Sequence, residues 1–250
     1  MNLSGQTVVV TGGAVRVGRA ISLSVAERGT NLVIAYNSSE ESAHDLVEMI
    51  GRKNPDSRAL ALKCNVARAV DVSNLIEQTV KEFGSIDALV NNAAIFPRRA
   101  VTDLTENDFD EVIGINLKGS YLCALEAGKR MLNQPNGGHI IQIADVHGVI
   151  PRIGYTPYCI SKAGVIMLTK TLAREFGERS SNVRINCVAP GIVLPEEGSD
   201  QAALEVAIKR NAIKRTGSPD DVARTVIFLL EGPDFITGET IFVDGGRHLF

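Results

Sequence analysis

The sequence carries little excess charge, has only 4 cysteines, and contains no apolar run near the roughly 20 residues of a membrane span. Each shortage removes a class of function. A net charge of -3, with no basic block interleaved with aromatics, gives no footing for nucleic acid. Cys64, Cys123, Cys159 and Cys187 are scattered, without a C-x-x-C pair or a secretory leader, which fits free thiols in a reducing, cytoplasmic compartment. The 4 histidines and 4 cysteines show no metal-ligand spacing, so no metal site is expected. His139 and His44 read as ordinary surface residues, and His147 as an edge of a pocket. Met1 to Gly5 is too short and polar for a signal sequence, so a soluble protein without a membrane partner is expected. Repeats, low-complexity tracts and breaks in composition are missing too, and 250 residues at 44% apolar content suffice for one large core. Residues 1–250 are therefore read as one domain.

What is present is an alternation. Gln6 to Thr11, Asn31 to Tyr36, Arg58 to Cys64, Asp87 to Asn91, His139 to Ile143, Val183 to Val188 and Thr240 to Val243 are short β-branched or apolar runs. Between them lie segments of helical periodicity: one closing at about Arg28, then Glu40 to Arg52, Val70 to Phe83, Glu106 to Met131, the stretch holding Tyr158, and Pro219 to Leu230. Strands alternating with helices imply right-handed crossovers and a parallel, doubly wound α/β sheet. Ile192 to Arg215 departs from this, being rich in Glu, Gly, Ser and Lys after a Pro-Gly pair, and reads as a substrate loop with a short helix.

Ligands of such sheets bind outside the carboxyl ends of the strands. The first such end is Thr11-Gly12-Gly13-Ala14-Val15-Arg16-Val17-Gly18, whose glycines permit a tight turn and whose opening helix offers free N–H groups to an anion such as a pyrophosphate. A plain strand-helix connection would use glycines too. The second strand ends Ala35-Tyr36-Asn37-Ser38-Ser39, without the carboxylate that accepts from the ribose hydroxyls of NAD. Arg16, Ser38 and Ser39 can instead donate to a 2′-phosphate, so NADPH (NADP) is the expected cofactor. The alternative is that Arg16 is a solvated surface residue and the serines only cap the helix at Glu40.

Tyr158 and Lys162 stand four apart within Tyr155 to Leu172, where apolar spacing is helical, so phenol and ammonium share a face. A Tyr titrating near pH ~10 must give up roughly 3 to 4 kcal/mol to act near neutrality. A cation about 4 Å away supplies on the order of 4 kcal/mol at an effective dielectric near 20. Lys162 is thus expected to lower the Tyr158 pKa.

Taken with Asn91-Asn92-Ala93-Ala94, Asn116, Pro190-Gly191 and Val243-Asp244-Gly245-Gly246, these motifs resemble the short-chain dehydrogenases/reductases nearly end to end. The resemblance implies a Rossmann-like, seven-stranded, three-layer α/β/α fold and a nicotinamide cofactor. It implies that Gly12, Arg16, Val17, Gly18, Tyr36, Asn37 and Ser38 hold the phosphate and ribose side, with Asn65, Val66 and Asn91 to Ala94 on the adenosine side. Pro190, Gly191 and Ile192 would pack around the nicotinamide. Lys162 would bind the ribose, Asn116 would hold a water next to Lys162, and Tyr158 would deliver a proton to a small-molecule substrate. A homotetramer is implied, with Arg247 a candidate for a neighbour's pocket.

The departures bear on substrate. Most members have glycine where this chain has Arg16, and most have Ser thirteen residues before the active Tyr, where this chain has Asp145. Both changes, and Phe96, resemble the pteridine reductases of the family, and Asp244-Gly245-Gly246-Arg247-His248-Leu249 resembles the end of bacterial dihydromonapterin and dihydrofolate reductases. Asn65 and Ala94 differ from the Asp and Ser common at their positions. A carboxylate at 145 opposes the oxyanion of a carbonyl reduction unless protonated, whereas reducing C=N needs a proton on nitrogen that Asp145 and Tyr158 can relay. The sequence reading is therefore an NADPH-dependent reductase of a pterin or dihydrofolate, with Phe96, Asp145 and Tyr158 meeting the substrate and Tyr158, Lys162, Asp145 and Asn116 catalytic. The alternatives are a carbonyl reductase acting on 3-oxoacyl thioesters, with Asp145 only capping a turn, and a non-catalytic NADP-binding regulator.

Overall fold

Seven strands, β1 (Thr7–Thr11), β2 (Asn31–Tyr36), β3 (Arg58–Lys63), β4 (Ala88–Asn91), β5 (Gly138–Ile143), β6 (Val183–Pro190) and β7 (Thr240–Val243), form one all-parallel sheet in the order β3-β2-β1-β4-β5-β6-β7. The computed structural model describes residues 2–194 and 201–250. β1, β4 and β5 are buried along their whole length, as central strands are when helices cover both faces of a parallel sheet. Between β1 and β4 the strand order reverses, and this switch point opens a crevice at the carboxyl ends.

The helices α1 (Arg16–Ala26), α2 (Glu40–Lys53), α3 (Ala69–Phe83), α4 (Glu106–Ile113), α5 (Gly119–Leu132), α6 (Thr156–Gly177), α7 (Gln201–Lys209) and α8 (Pro219–Glu231) follow the expected alternation. On one face, Ile21 and Val25 of α1 and Val222 and Val226 of α8 bury with Val8, Val10 and Ile141. On the other, Leu75 of α3, Met131 of α5 and Phe176 of α6 bury with Val9, Leu89 and Ile140. Capping boxes start α4 at Thr105 with Asp108, and α8 at Ser218 with Asp221.

Three expectations are revised. The helix from about Glu106 to Met131 widens into a π turn at Gly114–Lys118, where Asn116 is drawn toward the backbone of Ile95. β6 continues past Val188 to Pro190, which pairs with Val243 as a last residue whose missing N–H costs no ladder bond beyond the strand. His139 is fully buried rather than on the surface, its Nε2 meeting Asn186 Nδ2 at 3.0 Å. Within the expected substrate loop, α7 is the short helix, and 195–200 lie outside the described residues.

Candidate active site

The ends of β1 and β4 are tied by one hydroxyl. Thr11 Oγ1 accepts from the N–H groups of Asn92 at 3.0 Å and Ala93 at 3.1 Å, while Asn92 Nδ2 donates to the carbonyls of Thr11 and Gly12, both at 3.0 Å. A Cβ on Gly12 would lie 3.0 Å from Ala93 Cα, and one on Gly18 would overlap the Gly12 carbonyl and come 2.7 Å from Asn92 Nδ2. Glycine is thus required here by space as well as by the φ of +61° at Gly12.

Arg16 is the one non-glycine among the described residues with positive φ, at 53°. A side chain in that region costs about 1 to 2 kcal/mol, so the Arg occupies a glycine's backbone at an energetic disadvantage. The N-cap of α1, Val15, makes no side-chain cap bond, and the first turn holds no acid. Its leading N–H groups therefore have no local side-chain acceptor and face the crevice, as a pyrophosphate requires. Ser39, the N-cap of α2, makes no side-chain cap bond either, against the view that the serines only cap that helix. Ser38 and Ser39 instead line the same crevice as Arg16. The donor set and the shape fit a phosphorylated dinucleotide.

At the other end, Tyr158 Oη donates to Asp145 Oδ2 at 3.0 Å, and Asp145 Oδ1 accepts from the His147 N–H at 2.8 Å. Asp145 therefore caps a turn and holds the phenol at once. Lys162 Nζ donates to the Ile143 carbonyl at 2.8 Å and lies 5.7 Å from the Tyr158 ring centroid. Burial pushes the Tyr158 phenol well above its ordinary pKa, and the Asp145 carboxylate adds to this. The lowering expected from Lys162 is outweighed here by burial and by Asp145, with the Lys162 ammonium held on the Ile143 carbonyl. Burial raises the Asp145 pKa and lowers that of Lys162, so burial favours the neutral form of all three groups.

Asn116 is placed differently from the rest. Its Oδ1 accepts from the Ile95 N–H at 2.8 Å and its Nδ2 donates to the Ile95 carbonyl at 2.9 Å and to Ser161 Oγ at 3.2 Å. Ser161 Oγ donates in turn to the Tyr158 carbonyl at 2.7 Å. Both Nδ2 hydrogens and one lone pair of Oδ1 are thus taken by protein groups, which leaves the second lone pair of Oδ1 as the side chain's remaining acceptor. Asn116 joins the β4 end to the start of α6. Asn91 also turns inward, its Nδ2 donating to the Ser120 carbonyl at 3.0 Å.

One crevice of about 1020 Å³ runs from Arg16 and Ser38 to Asp145 and Tyr158. All cofactor and substrate positions inferred from the sequence line it except Asn91, and of the inferred catalytic residues only Asn116 stays out of its wall. Phe96 lines it, but its ring stacks on Tyr155 with centroids 4.2 Å apart and meets the Tyr158 ring edge-on at 4.3 Å. One face of the presumed stacking platform is filled. The reading from sequence missed Arg98, Arg152 and Arg210, which also line the crevice, and Arg247, considered there for a neighbour's pocket, lines this chain's own. All follow carboxyl ends of strands, β4, β5, β6 with α7, and β7, the positional signal that would have pointed to them.

Residues 12–248 match the family described as Enoyl-(Acyl carrier protein) reductase. The 3-oxoacyl-[acyl-carrier-protein] reductase FabG of Staphylococcus aureus is 38% identical over 98% of this chain and 98% of its own length. The chain belongs to the short-chain dehydrogenase/reductase family. It is an NAD(P)-dependent oxidoreductase, as that membership entails. The 3-oxoacyl-[acyl-carrier-protein] reductase of Synechocystis is 37% identical over 99% of both chains. Among solved structures, a short-chain dehydrogenase of Burkholderia cenocepacia in complex with NADP superposes with a TM-score of 0.89 at 32% identity, covering 99% of both chains. A dehydrogenase/reductase of Sinorhizobium meliloti gives the same TM-score, 0.89, at 32% identity, covering 98% of this chain and 96% of its own. These short-chain enzymes carry the family and the fold, and the two curated relatives are named as 3-oxoacyl-[acyl-carrier-protein] reductases, not as reductases of the pterin expected from the sequence.

Proposed function

We propose that the chain is an NADPH-dependent carbonyl reductase whose substrate is a 3-oxoacyl thioester. The observation that carries this over the pterin is the Phe96 ring, stacked on Tyr155 at 4.2 Å, and it agrees with curated relatives named as 3-oxoacyl-[acyl-carrier-protein] reductases. Arg16, Ser38 and the open turn of α1 would hold the phosphates, Lys162 the ribose, and Pro190 to Ile192 the nicotinamide, which when bound supplies a hydride to the carbonyl carbon. As the C=O bond becomes C–O, Tyr158 Oη gives its proton to the oxygen. Burial raises the Asp145 pKa, and a protonated carboxyl there would donate to the oxygen where an ionised one would repel it. Lys162, 4% exposed, offsets the charge left on Tyr158. Asn116 acts through Ser161 as a positioning residue for Tyr158.

The pterin reading is kept by one feature, Asp145 bonded to Tyr158 at 3.0 Å, which can relay a proton to a ring nitrogen. Rates with NADPH and acetoacetyl thioester, dihydrobiopterin or dihydrofolate decide between them. Activity on a pterin alone would overturn the thioester assignment, and NADPH binding without turnover of any would favour a regulator. We propose a homotetramer as well, supported by Phe109, Tyr121 and Met167, large apolar residues exposed on α4, α5 and α6. Light scattering giving a monomer would refute it. Cys64, Cys123 and Cys187, buried and unpaired, support a reducing, cytoplasmic setting, and among the described residues no helix is long and apolar enough to cross a membrane.

A further inference from the structure

Apart from the cofactor turn, the wall of the crevice is asymmetric in charge. Among its described lining residues the only carboxylate is Asp145, whereas Arg98, Arg152, Arg210 and Arg247 line the end beyond Tyr158. They come from separate loops yet meet around one opening. Arg98 lies against the segment holding Arg152, since a Cβ on Gly154 would be 3.3 Å from Arg98 Cγ. Arg152 Cζ sits 4.4 Å from the Tyr155 ring centroid and 5.2 Å from that of Phe96. Arg247 Nη1 donates to the Ala207 carbonyl at 2.8 Å, which ties the last turn of the chain to α7. Arg98, Arg210 and Arg247 form no ion pair among the described residues. Arg210 and Arg152 both oppose the charge on Arg247, and Arg152 and Arg247 oppose protonation of His147, so these groups feel one another across the opening.

Guanidinium groups from different loops facing a shared cavity repel unless an anion lies between them, and Arg is the side chain that grips phosphate or carboxylate with paired N–H groups. We infer that Arg98, Arg210 and Arg247, with Arg152 beside them, form an anion subsite at the substrate end of the crevice, which holds a phosphate or carboxylate on the substrate remote from the carbon that is reduced. The inference rests on the reading that this crevice takes an organic substrate for reduction, and adds that the substrate is anionic. His147, which meets the Ile150 carbonyl through Nδ1 at 3.1 Å, lines the same wall between this subsite and Asp145.

The test uses the full chain saturated with NADP, so that the cofactor's own phosphates are already placed, and reads binding by calorimetry with no need for turnover. Two pairs of probes differ in the remote anion: phosphopantetheine against pantetheine, and folate against biopterin. In at least one pair the anionic member should bind about tenfold tighter or more. That advantage should shrink as salt rises from about 0.05 to 0.5 M, because the subsite is open to solvent. It should be lost in the double variant Arg98→Gln with Arg210→Gln, two exposed side chains without a hydrogen bond or ion pair among the described residues, and reduced in Arg247→Gln. Arg247→Lys should keep part of it. Preference in the thioester-arm pair supports both the subsite and the proposed substrate class. Preference only in the pterin pair supports the subsite and refutes the thioester. Equal affinities within both pairs, or an advantage that survives the double variant with an unchanged melting temperature, would overturn the subsite whatever the substrate.

Discussion

Replacing Arg16 with glycine should make the protein more stable and a worse binder of NADPH. Arg16 has φ 53° at the first residue of α1, where an L side chain costs about 1 to 2 kcal/mol. Glycine removes that cost but gives back about 0.5 to 1 kcal/mol through its greater freedom in the unfolded chain. The net gain is then roughly 0 to 1.5 kcal/mol, which in a chain this long raises the melting temperature by up to about 6 °C. Against this stands the loss of a charge-assisted hydrogen bond to the 2′-phosphate, about 1.5 to 3 kcal/mol, or roughly ten- to a hundredfold in Kd. NADH lacks that phosphate and should bind the variant as it binds the wild type. Thermal melts of the apo protein and fluorescence titrations with both dinucleotides give all the quantities. Equal weakening of NADPH and NADH, or a fall in melting temperature, would refute the argument that Arg16 holds a glycine's conformation for the sake of the cofactor.

Gly18→Ala should lose NADPH affinity and about 1 to 3 kcal/mol of stability, because the new Cβ meets Asn92 Nδ2 at 2.7 Å as well as the Gly12 carbonyl; an unshifted denaturation midpoint would contradict this. Burial raises the Asp145 pKa, so folding favours its neutral form; that form exacts no penalty below the ordinary carboxylate range near pH ~4, and the penalty grows as pH rises through the folded pKa. Asp145→Asn should therefore melt higher than wild type near neutrality, with the gain fading toward pH ~4, and a gain independent of pH would count against it. Gln142 is fully buried with neither amide atom bonded to a protein group, and Gln142→Leu should raise the melting temperature by at least about 2 °C; a fall would mean the amide is satisfied by a buried water.

Much of the scaffold was legible because periodicity speaks directly to burial. Asn31 to Tyr36 and Thr240 to Val243 are strands with the boundaries read from sequence, and the spacing of Tyr158 and Lys162 does place both on α6. The third dimension was not legible. Spacing shows that Lys162 can reach Tyr158, but nothing local says that the Ile143 carbonyl will hold the ammonium, or that Asp145, thirteen residues earlier, will meet the phenol. Phe96 reads as a free platform until Tyr155, distant in sequence, stacks on it. The bonds of Asn116 to the Ile95 backbone were not legible, because they depend on a π turn that helical spacing does not announce. The arginines around the opening were missed for the same reason, since each is unremarkable in its own loop and only the parallel sheet collects them.

The central claim is that Tyr158 gives the proton in a reduction driven by NADPH, and single-turnover oxidation of bound NADPH by acetoacetyl thioester in Tyr158→Phe tests it most directly. Tyr158→Phe should lower that rate by about 10² to 10⁴ while NADPH affinity stays within a few-fold of wild type. A Tyr158→Phe rate within about threefold of wild type would contradict it.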